Sequence, residues 1–297
     1  MDTKEKLNFI VNPNAGCGKT TKAIGLIVDI LKEKGIDYHI DYATTPELAR
    51  EFSSALEAKG EKKIIIVGGD GTFSEVLNGV KNPSDLTFGF IPAGTGNDFA
   101  KTLGISKDPK KALEHVLNSK VTQFDYFQGR SRRALNTVST GIDIAIIQKY
   151  NSYKKRSKLN YYRALLGAVF KFKFPCFRLK IDDTKDIPEK DYFVVSVCNG
   201  QYFGGGMKIS PNSKPDDGKI TLVSIHGMPR RKIFFRMLDV LKGKHIGKSY
   251  SEEYICDHIT LNDNQLMTVN FDGELIPNEP FDIKVIKNGL NVFLDKQ

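Results

Sequence analysis

The sequence predicts an α/β + β protein, with an N-terminal three-layer α/β domain on a mostly parallel sheet and a C-terminal β-rich sandwich domain. Three observations carry that prediction. Strand-like and helix-like segments alternate at short intervals through the first part of the chain, the pattern of a parallel sheet covered by helices. The run Lys63–Val67 is almost wholly β-branched, as in a strand buried on both faces. After about Val121 short β-like runs follow one another between turn signals, the texture of a sandwich or open barrel. The expected domains are residues 1–122 and 123–280.

Leu7–Val11 is a short apolar strand ended by Asn12-Pro13. Thr20–Lys34 reads as a helix, with Ile24, Ile27, Val28 and Leu31 at helical spacing and Gly35 as its stop. Tyr38–Tyr42 is the second strand, and Pro46–Lys59 a helix with proline near its start. Lys63–Val67 leads into a helix expected from Thr72, where Thr72 and Glu75 spell a T-x-x-E capping box. Phe73, Val76, Leu77 and Val80 would form its apolar face. Leu86–Ile91 is the next strand, followed by helical stretches to about Leu117.

In the second half, Ala134–Thr140, Phe177–Ile181, Phe193–Asn199, Ile220–Ile225, Ile255–Leu261 and Met267–Phe271 read as strands. Asp182-Asp183, Asn199-Gly200, Asp216-Asp217-Gly218, Asn262-Asp263-Asn264 and Asp272-Gly273 punctuate them. Two helical insertions are expected, near Ile142–Phe172 and Pro229–Lys242.

The 297-residue chain is 40% hydrophobic and 27% charged, enough apolar matter for a core without staples. Its net charge of +9 favours polyanions, whether nucleotides, nucleic acid or an anionic membrane. Cys17, Cys176, Cys198 and Cys256 lack the spacing of a zinc site or a disulfide framework. No apolar signal region precedes the first strand, and Ala164–Phe170, the longest apolar stretch, is too short to span a bilayer. A reduced, cytoplasmic protein able to visit a membrane surface is expected.

Three glycine-bearing loops leave strands at the same expected sheet edge: Asn12-Pro13-Asn14-Ala15-Gly16, Gly68-Gly69-Asp70-Gly71-Thr72, and Pro92-Ala93-Gly94-Thr95-Gly96-Asn97-Asp98. Open α/β sheets bind ligands at the carboxyl ends of their strands. Glycines let backbone approach phosphate, and a helix N-terminus offers free amides to an anion. A tight turn without ligand is the alternative for any one of them. Two familiar motifs fail: from Gly69-Asp70-Gly71 the last position of a dinucleotide fingerprint is Ser74, and a P-loop ending at Gly18-Lys19-Thr20 would put its first glycine at Pro13.

The motifs N-P-x-x-G, G-G-D-G-T and P-x-G-T-x-N-D, in this order and spacing, resemble the bacterial diacylglycerol kinase or lipid kinase family, whose catalytic domain is shared with sphingosine and ceramide kinases. The resemblance covers nearly the whole chain. It implies an ATP-binding first domain, a second domain that contributes to the lipid site, and last strands, about 281–297, that return to the first domain. It assigns ATP contacts to Asn12, Pro13, Asn14, Ala15 and Gly16, to Thr44, to Gly68, Gly69, Asp70, Gly71, Thr72, Phe73 and Ser74, and to Thr95. Where the family usually has asparagine, this chain has Ser74.

Phosphoryl transfer needs positioning, Mg²⁺ and an acceptor for the proton of the attacking hydroxyl. Phe271-Asp272-Gly273-Glu274 offers a carboxylate after a strand, and Asp-Gly is equally a hairpin signal. The resemblance makes Glu274 the general base. Asp70 lies inside a phosphate loop, where a bare anion would repel phosphate, so an intervening cation is expected, with Asp98, beside Asn97, helping to hold it through water. The alternative for both is a turn or cap role. The resemblance also implies a structural Mg²⁺ held by Asp217 and the backbone carbonyls of Lys214 and Lys219; an Asp-Gly turn without an ion is the other reading.

Lys149–Phe174 is dense in Lys, Arg, Tyr and Phe. Such a segment suits anionic lipid or, by stacking, RNA. It is otherwise a solvated helix whose Tyr162, Leu165, Leu166 and Val169 face the core. No RNA motif accompanies it, so nucleic acid is not expected, and the acyl chains are expected in an apolar groove between the domains. The expected function is an ATP-dependent lipid kinase acting on a diacylglycerol-like alcohol, peripheral to an anionic membrane; a homodimer is allowed. An NAD kinase-like phosphotransferase and a non-catalytic nucleotide-binding regulator at membranes are the alternatives.

Overall fold

The computed structural model describes residues 6–153 and 158–295. The chain separates into two compact units, one comprising the residues up to Phe124 with those from Asn288 onward, the other Asp125–Lys287.

In the first unit, β1 (Leu7–Val11), α1 (Lys19–Glu33), β2 (Tyr38–Tyr42), α2 (Pro46–Ala58), β3 (Lys63–Gly68), α3 (Asp70–Gly79), β4 (Thr87–Pro92), α4 (Asp98–Thr102) and α5 (Pro109–Asn118) follow in order. Strand β5 (Val121–Gln128) leads out of the unit. β2, β1, β3 and β4 pair parallel in that order. Ile10, Ile64, Ile65, Ile66 and Val67 are fully buried, because helices cover both faces of the sheet. The reversal of strand order after β2, together with right-handed crossovers, sends α1 to one face and α2 and α3 to the other; α1 packs on α5, and α2 on α3.

The second unit begins within β5 and continues with β6 (Arg133–Ala134), β7 (Thr137–Gly141), α6 (Ile142–Asn151), α7 (Lys158–Val169), β8 (Cys176–Ile181), β9 (Lys185–Cys198), β10 (Ile220–His226) and α8 (Arg230–Leu241). Then come β11 (Ser251–Cys256), β12 (His258–Leu261), β13 (Leu266–Phe271), β14 (Glu274–Pro280) and β15 (Asp282–Phe293). The fourteen-residue β9 serves two sheets: its first half pairs with β8, its second with β7 and β10. Side chains alternate across a strand. Val195 and Val197 therefore enter a core with Phe271, Phe281 and Leu222, while Val194 and Cys198 pack against the helical layer of Ile146, Leu165 and Ile233. β15 pairs antiparallel with β12 at Ile283 and, beyond Asn288 (φ 53°), parallel with β4 at Asn291, so the last strand does return to the first unit's sheet.

Several expected elements differ in extent. Helix α3 begins at Asp70, with Gly69 as its cap and no side-chain bond, so Thr72 and Glu75 form no capping box. Glu75 instead pairs with Arg50 of α2. Phe193–Asn199 is the end of the longer β9, and Ile255–Leu261 is split between β11 and β12. The insertion at Ile142–Phe172 is two helices, and part of the basic segment, residues 154–157, lies outside the described residues.

Candidate active site

Three loops meet at the carboxyl ends of β1, β3 and β4. Asn12 holds the first to the second: its backbone amide donates to Val67 (3.0 Å) and its side-chain amide to the Thr72 hydroxyl (3.2 Å). Its carboxamide oxygen accepts from the Asn14 amide (3.0 Å), and Asn14 donates to the Thr44 carbonyl (3.1 Å). The Gly68 carbonyl accepts from the amides of Ala93 (2.6 Å) and Gly94 (3.1 Å), which ties the second loop to the third.

The glycines divide into two kinds. A Cβ at Gly16, where φ is 64°, would lie 1.9 Å from the Ala93 carbonyl oxygen, and one at Gly94 would lie 2.5 Å from the Gly69 Cα. These glycines let the loops touch each other. A Cβ at Gly71 would meet nothing within 4 Å. Gly71 is exposed in the first turn of α3, whose amides carry the positive end of the helix dipole. The approach to that turn at Gly71 is open.

Asp70 binds the third loop, accepting from the Asp98 amide and from the Ala100 amide (3.4 Å) at the start of α4. Asn97 holds a left-handed conformation (φ 54°), donates to the Gly94 carbonyl (3.0 Å), and keeps its own side-chain oxygen buried without a protein partner. Thr95, Thr44 and Asn14 are exposed, and Pro13, Ala15 and Gly16 are half-buried. Two expected contacts are corrected. Phe73 is fully buried, ringed by Phe88, Phe90 and Phe99, and its amide is spent on the Gly69 carbonyl. The Ser74 hydroxyl is turned inside the unit, 3% exposed and without a protein partner. Helical spacing from Asp70 brings both residues onto the face that covers the sheet.

In the second unit Asp272 and Gly273 form the two-residue turn of the β13–β14 hairpin, both at positive φ, so the hairpin reading of Asp-Gly is correct. Asp272 accepts from the amides of Leu135 (2.7 Å), Asn136 (3.0 Å) and Thr137 (2.9 Å). Glu274 opens β14 with its carboxylate 43% exposed and ion-paired to Arg132, which is 11% exposed. Arg132 and Glu274 are 142 positions apart in the chain, which hid the pair from sequence reasoning. Beneath the turn, Asn270 accepts from the Gly273 amide (2.8 Å) and donates to Asp143 (3.0 Å), which also accepts from Ser139 (2.7 Å). Asp143 is 1% exposed, and burial pushes its carboxyl up from the ordinary value.

The 214–219 loop closes on itself through an Asp217 bond from the Lys219 amide (2.9 Å). Asp125, absent from the sequence expectations, accepts from the Gly218 amide (2.7 Å) and donates its own amide to Pro215 (2.7 Å). Burial pushes the Asp217 carboxyl up, and the neighbouring Asp125 and Asp216 push it further. Crowded carboxylates and loop carbonyls are a donor set suited to a hard cation. Among the described residues no three His, Cys, Asp or Glu side chains converge on one metal position. An apolar cavity of about 50 Å³, walled by Ile146, Leu165, Phe193 and Ile225 and by Asp143, lies wholly within this unit. No described helix is long and apolar enough to cross a membrane.

Comparisons with known proteins agree with this layout. The chain is similar to a diacylglycerol kinase of Mycobacterium tuberculosis, 29% identical over 248 residues that span 81% of this chain and 80% of that protein. Its fold is similar to the crystal structure of a diacylglycerol kinase from Bacillus anthracis str. Sterne, with a TM-score of 0.73 at 22% identity over 99% of this chain and 98% of that one. It is also similar in fold to a yeast NADH kinase complexed with NADH, with a TM-score of 0.52 at 12% identity over 98% of this chain and 83% of the other. Residues 6–128 match the diacylglycerol kinase catalytic domain, and residues 136–294 match the YegS C-terminal NAD kinase beta sandwich-like domain. Two family models in succession, over loops joined as described, place this chain in the bacterial diacylglycerol kinase and lipid kinase family, to which it belongs.

Proposed function

We propose that this chain transfers the terminal phosphate of ATP to the hydroxyl of diacylglycerol or a related lipid alcohol, giving phosphatidic acid or its analogue at an anionic cytoplasmic membrane surface. The observation that carries the reading is the joining of three loops around the open first turn of α3, at the carboxyl ends of parallel strands. Asn12 to Gly16, Thr44, Gly68 to Thr72, Thr95 and Asn97 form the nucleotide seat in this reading. In this reading the Asp70 carboxylate, which accepts the Asp98 backbone amide, and the Asp98 carboxyl at the start of α4 are the hard-oxygen groups that would serve a Mg²⁺, whose charge would offset that of the phosphates. Asp217, with the carbonyls of Lys214 and Lys219, is the candidate seat of a second, structural Mg²⁺.

Glu274 accepts the proton of the attacking hydroxyl, and Arg132 fixes its carboxylate. Glu274→Gln keeps the shape and removes the base. The expected result is a loss of about 10²–10⁴-fold in lipid phosphorylation with ATP affinity unchanged; undiminished phosphorylation would remove Glu274 from the role. Labelled ATP offered with a total lipid extract or with NAD separates the alternatives. Label in a lipid product supports the proposal, and label in NADP supports an NAD kinase. Nucleotide binding without transfer on any arm supports a regulator.

A further inference from the structure

Helices α7 and α8 of the second unit are apolar on two faces, and the core explains only one. Ala164, Leu165 and Ala168 of α7 and Ile233 of α8 are buried. On the other face of α7, Leu159, Arg163 and Leu166 follow at i, i+4 and i+7, and Phe170 just past the end of the helix continues the spacing, with Leu159 69%, Leu166 39% and Phe170 67% exposed. On α8, Arg231, Phe235 and Leu238 follow at i, i+4 and i+7, with Phe235 73% and Leu238 57% exposed. A surface helix ordinarily turns polar residues outward, and a contiguous apolar patch marks a surface that is covered in use. Leu166, which the alternative reading of this segment as a solvated helix turns to the core, lies on the exposed stripe.

An open groove of about 400 Å³ joins the two stripes, lined by Leu166, Phe170 and Phe235 together with Arg230 and Arg231. The charged residues that line it are arginines, and the acidic residue of α8, Asp239, is paired with Arg236. Arg163, Lys171, Lys173, Arg230, Arg231 and Lys232 are exposed, and residues 158–174 contain no acidic residue. Exposed phenylalanines and leucines set among arginines match the two layers of a bilayer surface, acyl chains beneath and anionic headgroups above. Leucine has no flat ring to stack on a base, which disfavours single-stranded nucleic acid.

We propose that the outer face of α7 and α8 is a docking surface for an anionic lipid bilayer, with Leu166, Phe170 and Phe235 entering the apolar layer and Arg163, Arg230 and Arg231 meeting the headgroup phosphates. The inference rests on the reading of this chain as a lipid kinase, and α8 is the half that the sequence did not mark.

Flotation of the full chain with vesicles of phosphatidylglycerol or of phosphatidylcholine, without ATP, tests it. The chain is expected to float with phosphatidylglycerol and only weakly with phosphatidylcholine. Phe170→Ser with Phe235→Ser lowers binding at least about tenfold. Arg230→Glu with Arg231→Glu lowers phosphatidylglycerol binding by at least about fivefold per charge. Ile255→Ser, at an apolar site that is 56% exposed elsewhere in the unit, leaves binding unchanged. Leu159→Ser with Phe235→Ser repeats the test should the phenylalanine pair lower the melting temperature. Absence of flotation, or undiminished flotation of both apolar pairs, overturns the proposal. A change from dimer to monomer in those variants with flotation intact assigns the face to a second copy and overturns it too. Flotation needs no phosphate transfer, so the two readings fail separately. A chain that floats but phosphorylates no lipid overturns the kinase alone; one that phosphorylates detergent-dispersed diacylglycerol without floating overturns the docking surface alone.

Discussion

Gly71 and Gly94 stand in neighbouring loops but answer to different neighbours. Gly94→Ala would force a methyl group to 2.5 Å from the Gly69 Cα, so it is expected to cost about 1–3 kcal/mol and to lower the melting temperature. Gly71→Ala adds its methyl to open space in a helical turn, where alanine is favoured over glycine by up to about 1 kcal/mol. It should leave the melting temperature unchanged or raised while weakening ATP binding, as read by calorimetry. Retained ATP affinity would move the phosphates elsewhere. Asp143 gives a pH signature. Its carboxyl is pushed above the ordinary 3.8 by burial, against the smaller opposing pull of Ser139 and Asn270. The folded chain therefore holds this proton longer than the unfolded chain, and stability falls as pH rises from the ordinary carboxyl value through the raised one. Asp143→Asn removes that slope, so its melting temperature should vary less with pH across that window than the parent's.

Hairpin β13–β14 shows how one turn holds a larger element. The Asp272 carboxylate gathers three successive amides, Leu135 to Thr137, and so seats the start of β7 against the hairpin. Asp272→Ala strands those amides, and a loss of about 2–4 kcal/mol is expected from thermal melting, with Glu274 displaced as a consequence. Elements with strong local signals were legible in the sequence: Tyr38–Tyr42, the isoleucine run of β3, and the Asp272-Gly273 turn. β14 was not, because Pro277 and Pro280 argue against a strand, and only its pairing with β13 overrides them. Helix α3 starts two residues before its expected capping box, and Glu75 is paired with Arg50, a partner on another helix. The three-loop arrangement was readable from glycine spacing, whereas Arg132 beside Glu274 and Asp125 beside Gly218 depend on contacts between residues far apart in sequence.

At the scale of the whole molecule, the first unit is discontinuous and the second is one uninterrupted stretch, Asp125–Lys287. β4 has two parallel neighbours, β3 and the end of β15. Thr122 and Lys120 are likewise bonded to Leu294 and Asp295. A ribosome therefore delivers the nucleotide-side sheet in two instalments, with the entire β-rich unit emitted between them. The amino-terminal residues emerge first and are completed last, the reverse of the usual order in which leading domains settle during synthesis. Chains stalled with residue 287 just clear of the exit tunnel should resist protease over 125–287 while 6–124 is still cut, and release through residue 295 should protect both. During that interval the β3–β4 side of the sheet presents an unpaired strand edge, a hazard for association with other chains.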